Sequence, residues 1–329
     1  KATSVKVFLQ AFSFEVFMEN KQNIPILEVN NLSVSFQMYD NIFKQKILQA
    51  ISELNIKVYA GEILAIAGSS GSGKSLLASA ILGILPENAA VVGELLYNGQ
   101  VLTPKLQKQL RGTEIALVPQ LVDFLDPLMR TGVQVDGHKK PYPTQRRRGI
   151  FRRFGLPEDT EKHYPFQLSG GMARRVLVST ALITDARLII ADEPTPSMSL
   201  GQALEALKMF REMANDGKAI VLITHDIDLA FAFADRIAVF YAGTTVETAS
   251  AQDFQTGPKA LRHPYSKALW HALPQNDFAP IAGFQPYAGN LPKGCLFAPR
   301  CSCSTQKCTQ EVPPMQSLRG GEVRCFYAE

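Results

Sequence analysis

The sequence predicts an α/β fold with a parallel sheet, and three observations predict it. Short apolar runs of strand length recur at residues 63–67, 188–191 and 220–224, the pattern of strands covered on both faces. The first is followed by helix formers at residues 74–85, so strand and helix alternate as in layered α/β domains. Ahead of them, residues 26–36 alternate polar and apolar, residues 47–58 do so less cleanly, and a turn-like segment at 39–46 lies between. That pattern predicts an antiparallel β subdomain at the start of the fold.

The remaining elements follow in order. Residues 120–168 are basic, poor in strand signals and free of a sustained heptad, which predicts a mostly helical insertion. After about Thr248 the rhythm breaks: seven prolines from Pro258 to Pro299 punctuate a stretch that holds all five cysteines. The expected organisation is an N-terminal extension outside the fold at 1–20, a main domain at 21–250 with a helical subdomain inserted at about 121–167, and a separate small C-terminal appendage at 251–329. Met18 precedes a polar lead-in at 19–23, and the role of the residues before it is open. No internal repeat occurs, so one such unit is expected.

Composition bounds the function. The 329 residues are 46% hydrophobic and 19% charged, enough for a large core and against extensive disorder. A formal charge of +4 is too small to argue for nucleic acid as the main partner, and fits a face near anionic lipid equally well. No apolar run approaches the roughly 20 residues that span a bilayer. Residues 5–17 are interrupted by Lys6, Gln10 and Glu15 and lack a small-residue cleavage site, so they read as non-secretory.

Two motifs carry chemistry. Gly68-Ser69-Ser70-Gly71-Ser72-Gly73-Lys74-Ser75, with Leu76 following, stands between an apolar strand and a helix and has Walker A spacing. Glycines let successive N–H groups point at phosphate oxygens, the helix adds its positive end, Lys74 would reach the β- and γ-phosphates of ATP, and Ser75 would ligand Mg²⁺. A Gly/Ser-rich loop that only turns the chain is the alternative. The run 188–191 ends in Asp192 and Glu193, a Walker B form in which Asp192 would hold Mg²⁺ and Glu193 would polarise the attacking water. Alone, such an acidic pair is as often a solvated turn.

Leu168-Ser169-Gly170-Gly171-Met172 resembles the LSGGQ signature of ABC (ATP-binding cassette) proteins, with Met172 in place of Gln. The resemblance covers roughly residues 25–329 and implies a P-loop NTPase core of RecA-like type. It also implies that Leu168 to Met172 clamp the ATP of a partner subunit, that Gln120 is the Q-loop residue contacting Mg²⁺, and that His225 is the switch histidine at the γ-phosphate. Phe36, with Tyr39 as a second candidate, sits where the family's adenine-stacking aromatic lies; Phe36 equally suits the last inward position of its strand. The family reads Ser-Ala-Leu-Asp after the Walker B segment, whereas Pro196-Ser197-Met198-Ser199 here puts Ser199 at the D-loop Asp position, which puts the speed of the site in doubt.

The tail narrows the resemblance. Cys295, Cys301, Cys308 and Cys325, with His263-Pro264-Tyr265-Ser266, resemble the C-terminal region of dipeptide, oligopeptide and nickel importer ATPases, in which four cysteines can hold a [4Fe–4S] cluster. Zinc or unmetallated thiols are the rivals, and Cys303 could substitute as a ligand. The basic run 145–153 reads as a solvated or lipid-facing helix before a nucleic-acid grip. The resemblance implies an ATP-hydrolysing importer subunit on the cytoplasmic face of the inner membrane. Its implied partners are a related ATPase subunit in a heterodimer, two transmembrane permease subunits and a substrate-binding protein. A non-transport ABC ATPase and a degenerate ATP-binding regulator are the alternatives.

Overall fold

The computed structural model describes residues 24–41, 44–69, 71–137 and 142–329, without the side chains at 39–41, 44, 45 and 229. The expectations for residues 1–20 and for Ser70 lie outside the described residues. The chain opens on β1 (Leu27–Asn41) and β2 (Lys44–Val58), antiparallel from Leu27 opposite Val58 to Asn41 opposite Lys44. The turn-like segment at 39–46 is therefore largely strand. Met38 and Ile47 there are exposed, so nothing in the side-chain pattern marks where the ribbon ends, while the backbone ladder simply continues.

The core strand β3 (Ile63–Gly68) is buried at every position, and α1 (Lys74–Leu82) follows it. The helix stops three residues before the expected 85 because Gly83 takes φ 63°, a left-handed stop that glycine accepts without a Cβ clash. β4 (Ala89–Tyr97) and β5 (Gln100–Val101) close the first sheet in the order β2-β1-β4-β5, joined by Asn98 and Gly99, both at positive φ, as a two-residue hairpin requires.

The second sheet runs β11-β12-β10-β9-β3-β8-β7-β6. After α2 (Pro104–Leu110) come β6 (Ile115–Val118), β7 (Leu188–Asp192), β8 (Ala219–Ile223) and β9 (Arg236–Tyr241). With β3 these five strands pair in parallel. Between β6 and β7 the insertion holds α3 (Thr131–Asp136), α4 (Thr144–Arg153), 3₁₀ turns at Glu158–Lys162 and Pro165–Gln167, and α5 (Gly170–Leu182). Part of the basic run is structural, since buried Arg147 pairs with Asp136 and, at 2.8 Å, with Glu161. α6 (Leu200–Asn215) and α7 (Ile227–Phe233) complete the crossovers.

The tail packs onto the main sheet. β10 (Thr244–Ser250) turns antiparallel onto β9; then come α8 (Ala251–Thr256), α9 (Pro264–His271), α10 (Gln306–Gln310), β11 (Gln316–Leu318) and β12 (Gly321–Val323). β12 pairs with β10 through Glu247 opposite Val323 and Thr248 opposite Glu322, and covers backbone groups that an edge would leave open. Glu247, fully buried, accepts the Arg262 and His263 amides at 2.9 and 2.8 Å and faces the Arg262 guanidinium at 3.3 Å. Tyr241, Phe254, Leu261, Tyr265 and Phe297 form the core of this end, each worth about 1.5–3 kcal/mol of burial. Among the described residues, no helix is long and apolar enough to cross a membrane.

Candidate functional site

Ligands of open parallel sheets gather beyond the carboxyl ends of the strands, and the expected residues follow four of those ends. β3 runs into residues 68–75, β7 ends at Asp192 with Glu193 next, β8 leads to His225, and β6 leads to Gln120. The start of the loop has no room for a side chain: a Cβ on Gly68 would stand 2.4 Å from the Phe240 carbonyl. Gly71 and Gly73 take φ 76° and 92°, the left-handed region that glycine enters freely. Gly73 also caps α1 with no side chain of its own, so nothing from the cap occupies the N–H groups there.

Lys74 is buried, and its ammonium donates to the Gly68 and Ser69 carbonyls at 2.9 and 3.0 Å. Burial lowers its pKa, opposed by the nearby Glu193 and Asp192 charges. Burial pushes the Asp192 carboxyl up, while a hydrogen bond with the Ser75 side chain pulls it down. Its Oδ1 is buried with no hydrogen-bond partner, as is the Ser72 hydroxyl. A hydroxyl touching a buried carboxylate with one orphaned oxygen is a donor set that fits Mg²⁺, an oxygen-seeking cation.

Glu193 is held at φ 49° with its amide on the Ile223 carbonyl at 2.9 Å. Its carboxylate meets His225 Nδ1 at 2.6 Å. The Glu193 side chain is 10% exposed and that of His225 is 70% exposed, so a sheltered carboxylate is oriented by a ring open to a ligand. Gln120 is exposed beyond β6. Phe36 is half-buried against the core of the first sheet, the inward-strand position that was the alternative to an adenine platform. Tyr39 lies on β1 opposite Gln45, and its side chain is outside the described residues.

The second set of N–H groups is at α5. Ser169 caps the helix, its hydroxyl accepting the Met172 amide at 3.3 Å; Ser169 and Gly170 are exposed, and Leu168 and Met172 are half-buried. A Cβ on Gly171 would stand 3.0 Å from the Ser197 carbonyl, so this loop packs on the segment after Glu193. Ser199 caps α6 with Gln202 as its reciprocal partner, a role that Asp fills equally well.

Sequence reasoning passed over Arg174. It is buried in α5 and donates to the Pro119 carbonyl at 3.0 Å and to the Gln120 carbonyl, which ties the signature helix to the Gln120 loop. Two arginines inside an otherwise apolar helix were the available signal. In the tail, burial raises the thiols of Cys295, Cys301 and Cys325, and these three also feel the charge of Cys308. All five cysteines are free. Among the described residues, no three His, Cys, Asp or Glu side chains converge on one ion, so the four thiols gather without forming a metal cage. The expected [4Fe–4S] ligation finds no preformed geometry: Cys308 sits in α10 and the other thiols in loops and turns, and they contact neighbours such as Thr305 and the Tyr327 amide.

A glycine-bent loop with a buried lysine, facing the acidic end of a parallel strand of the same sheet, defines a P-loop nucleotide-binding cassette. The ABC transporter family model matches residues 51–196. A second model, the oligopeptide/dipeptide transporter C-terminal region, matches residues 246–308. The dipeptide transport ATP-binding protein DppD of Escherichia coli K12 is 34% identical over 323 residues, covering 92% of this chain and 96% of that protein. The oligopeptide transport ATP-binding protein OppD of Salmonella typhimurium LT2 is 33% identical, covering 92% and 93%. The dimeric structure of MJ0796, a bacterial ABC transporter cassette, is similar with a TM-score of 0.60 at 25% identity, over 68% of this chain and 98% of that one. The same cassette is also known in a post-hydrolysis state bound to ADP and Pi. The chain belongs to the ABC transporter ATPase family, in the branch of dipeptide and oligopeptide transport ATP-binding proteins.

Proposed function

We propose that this chain binds and hydrolyses ATP to drive an ABC importer of peptides. The observation that carries the reading is the convergence of Lys74, Asp192, Glu193 and His225 at one sheet edge, with Glu193 and His225 in contact at 2.6 Å. Residues 68–75 cradle the phosphates through backbone N–H groups, and Lys74 leaves its loop carbonyls for phosphate oxygens. Ser75, Asp192 and Gln120 would hold Mg²⁺, which supplies charge neutralisation when bound. Glu193 orients and polarises the water, and His225 holds Glu193 in place while facing the ligand. Phe36 remains the candidate platform for adenine, with Tyr39 second.

Because the 168–172 loop is open, the chain works as one of a pair, and each signature closes on the ATP of the other subunit. The partners implied are a related ATPase subunit, two permease subunits and a substrate-binding protein, at the cytoplasmic face of the membrane. The relatives' names favour peptide over nickel as cargo. The intact Glu193–His225 pair favours hydrolysis over a degenerate regulator, and Ser199 serves as a helix cap.

The test is steady-state ATPase activity of the purified complex with its binding protein, loaded in turn with dipeptide, longer peptide or nickel. Stimulation by peptide is expected. Glu193→Gln should keep ATP binding and lose turnover; undiminished turnover by that variant removes Glu193 from the catalytic role.

A further inference from the structure

The tail reaches the phosphate loop itself. The Ser69 hydroxyl donates to Gln285 Oε1, and the buried Tyr265 hydroxyl faces Ser69, whose side chain and amide pull its pKa down against the burial that raises it. The carbonyl of the same Ser69 holds the Lys74 ammonium at 3.0 Å. One loop residue therefore touches the tail on one side and the phosphate-seeking lysine on the other.

Neither tail contact is a loose surface arm. Tyr265 is 2% exposed, and its ring packs on Tyr241 and Phe297 with centroids at 4.6 and 5.3 Å. Tyr241 ends β9, the strand whose Phe240 carbonyl abuts Gly68. Gln285 follows a segment held by Arg300, whose guanidinium donates to the Ile281 and Ala282 carbonyls at 2.9 and 2.8 Å. Phe297 and Arg300 both lie in the segment between Cys295 and Cys301. Two arms thus run from the cysteine-bearing segment to Ser69, one through Phe297 and Tyr265, the other through Arg300 and Gln285.

We infer that Tyr265 and Gln285 are positioning residues of the ATP site, acting through Ser69 to hold the phosphate loop in the curve that presents its N–H groups and Lys74. A glycine-rich loop is entropically expensive to order, and a preorganised cradle binds its ligand more tightly than one that must be ordered on binding. The tail supplies that order from outside the loop. The inference rests on reading residues 68–75 as the phosphate site.

The experiment uses the full chain in its complex and measures KM and kcat for ATP together with binding of a fluorescent ATP analogue. Tyr265→Phe keeps the packed ring and removes only the hydroxyl; Gln285→Ala removes the other contact at a half-buried position. Each should raise KM and weaken analogue binding about fivefold, the size of one hydrogen bond, with kcat within about twofold of wild type and the thermal midpoint unmoved. Combined with Ser69→Ala, Tyr265→Phe should add less than its effect alone, since both remove the same contact. Unchanged KM in both variants, or full additivity with Ser69→Ala, overturns the inference. If Tyr265→Phe lowers the thermal midpoint, Gln285→Ala decides, alone and combined with Ser69→Ala, by the same two readouts. Lys74→Ala separates the two levels: if it binds ATP like wild type, the phosphate-site reading fails, whereas if it loses ATP while Tyr265→Phe and Gln285→Ala do not, only the brace fails.

Discussion

The chain has two places where a glycine-bearing loop feeds a helix start, and they are built differently. At α1 the cap residue is a glycine with no side-chain bond, Lys74 is buried beneath the loop, and Ser69 is held from behind by the tail. At α5 the cap is Ser169, whose hydroxyl bonds the helix, and Ser169 and Gly170 are open to solvent. Both present N–H groups and the positive end of a helix, which suit an anion. Only the first also has a cation of its own, Lys74, and two acids, Asp192 and Glu193, at the end of a parallel strand of the same sheet. The difference teaches that α1 is backed by charges of both signs, whereas α5 leaves its first N–H groups open to solvent.

The largest expected effect breaks the comparison at its strong end. Lys74→Ala should weaken ATP binding by the single chain on the order of tenfold to hundredfold, because a charge-assisted contact to phosphate is lost; titration with a fluorescent ATP analogue reads it. Retained affinity would mean that the two loops are equivalent after all. Ser169→Ala probes the other end. It should lower ATP turnover of the assembled complex about tenfold, since one donor to a developing charge is removed, while ATP affinity of the separated chain does not move. A fall in that affinity would place α5 in its own chain's site.

The strong end was legible and the weak connections were not. β3, β7 and β8 are apolar runs that end in Gly68, Asp192 and Ile223, so the loops that follow them are marked by both hydropathy and motif. β11 and β12 are three residues each, too short for any periodicity, and they form because β10 offers β12 a ladder and β12 offers one to β11. Arg174 sits in a helix whose neighbours read as core, and its meaning depends on carbonyls far away at Pro119 and Gln120. The contact of Gln285 with Ser69 spans 216 residues, and nothing local to Gln285 marks it. Phe36 shows the converse, a position at which family placement and strand packing pointed to the same residue and the packing is what the structure displays.

Acid should distinguish the two halves by a smaller effect. His263 is fully buried behind the phosphate loop, against Phe297, and burial, with a lesser contribution from Lys267, pushes its pKa down from 6.5 to about 3. The folded state thus resists a proton that the unfolded chain takes up, and stability falls as pH drops below about 6.5 by up to about 1.4 kcal/mol per pH unit. On the signature side, hydrogen bonds from Arg148 and Arg147 hold Glu161 down from 4.5 to about 2. Its contribution is full above 4.5 and is lost only as pH falls on toward about 2. Between pH 6.5 and 4.5, then, the tail end weakens while the Glu161 cluster does not. Hydrogen exchange at pH 6.5 and 5, corrected for the intrinsic rate, should show protection falling around residues 262–271 and holding at Glu158–Lys162, with His263→Gln flattening the difference. Equal loss at both places would mean that the tail and the insertion open as one unit, and that the backing of the phosphate loop is no more local than the packing of α5.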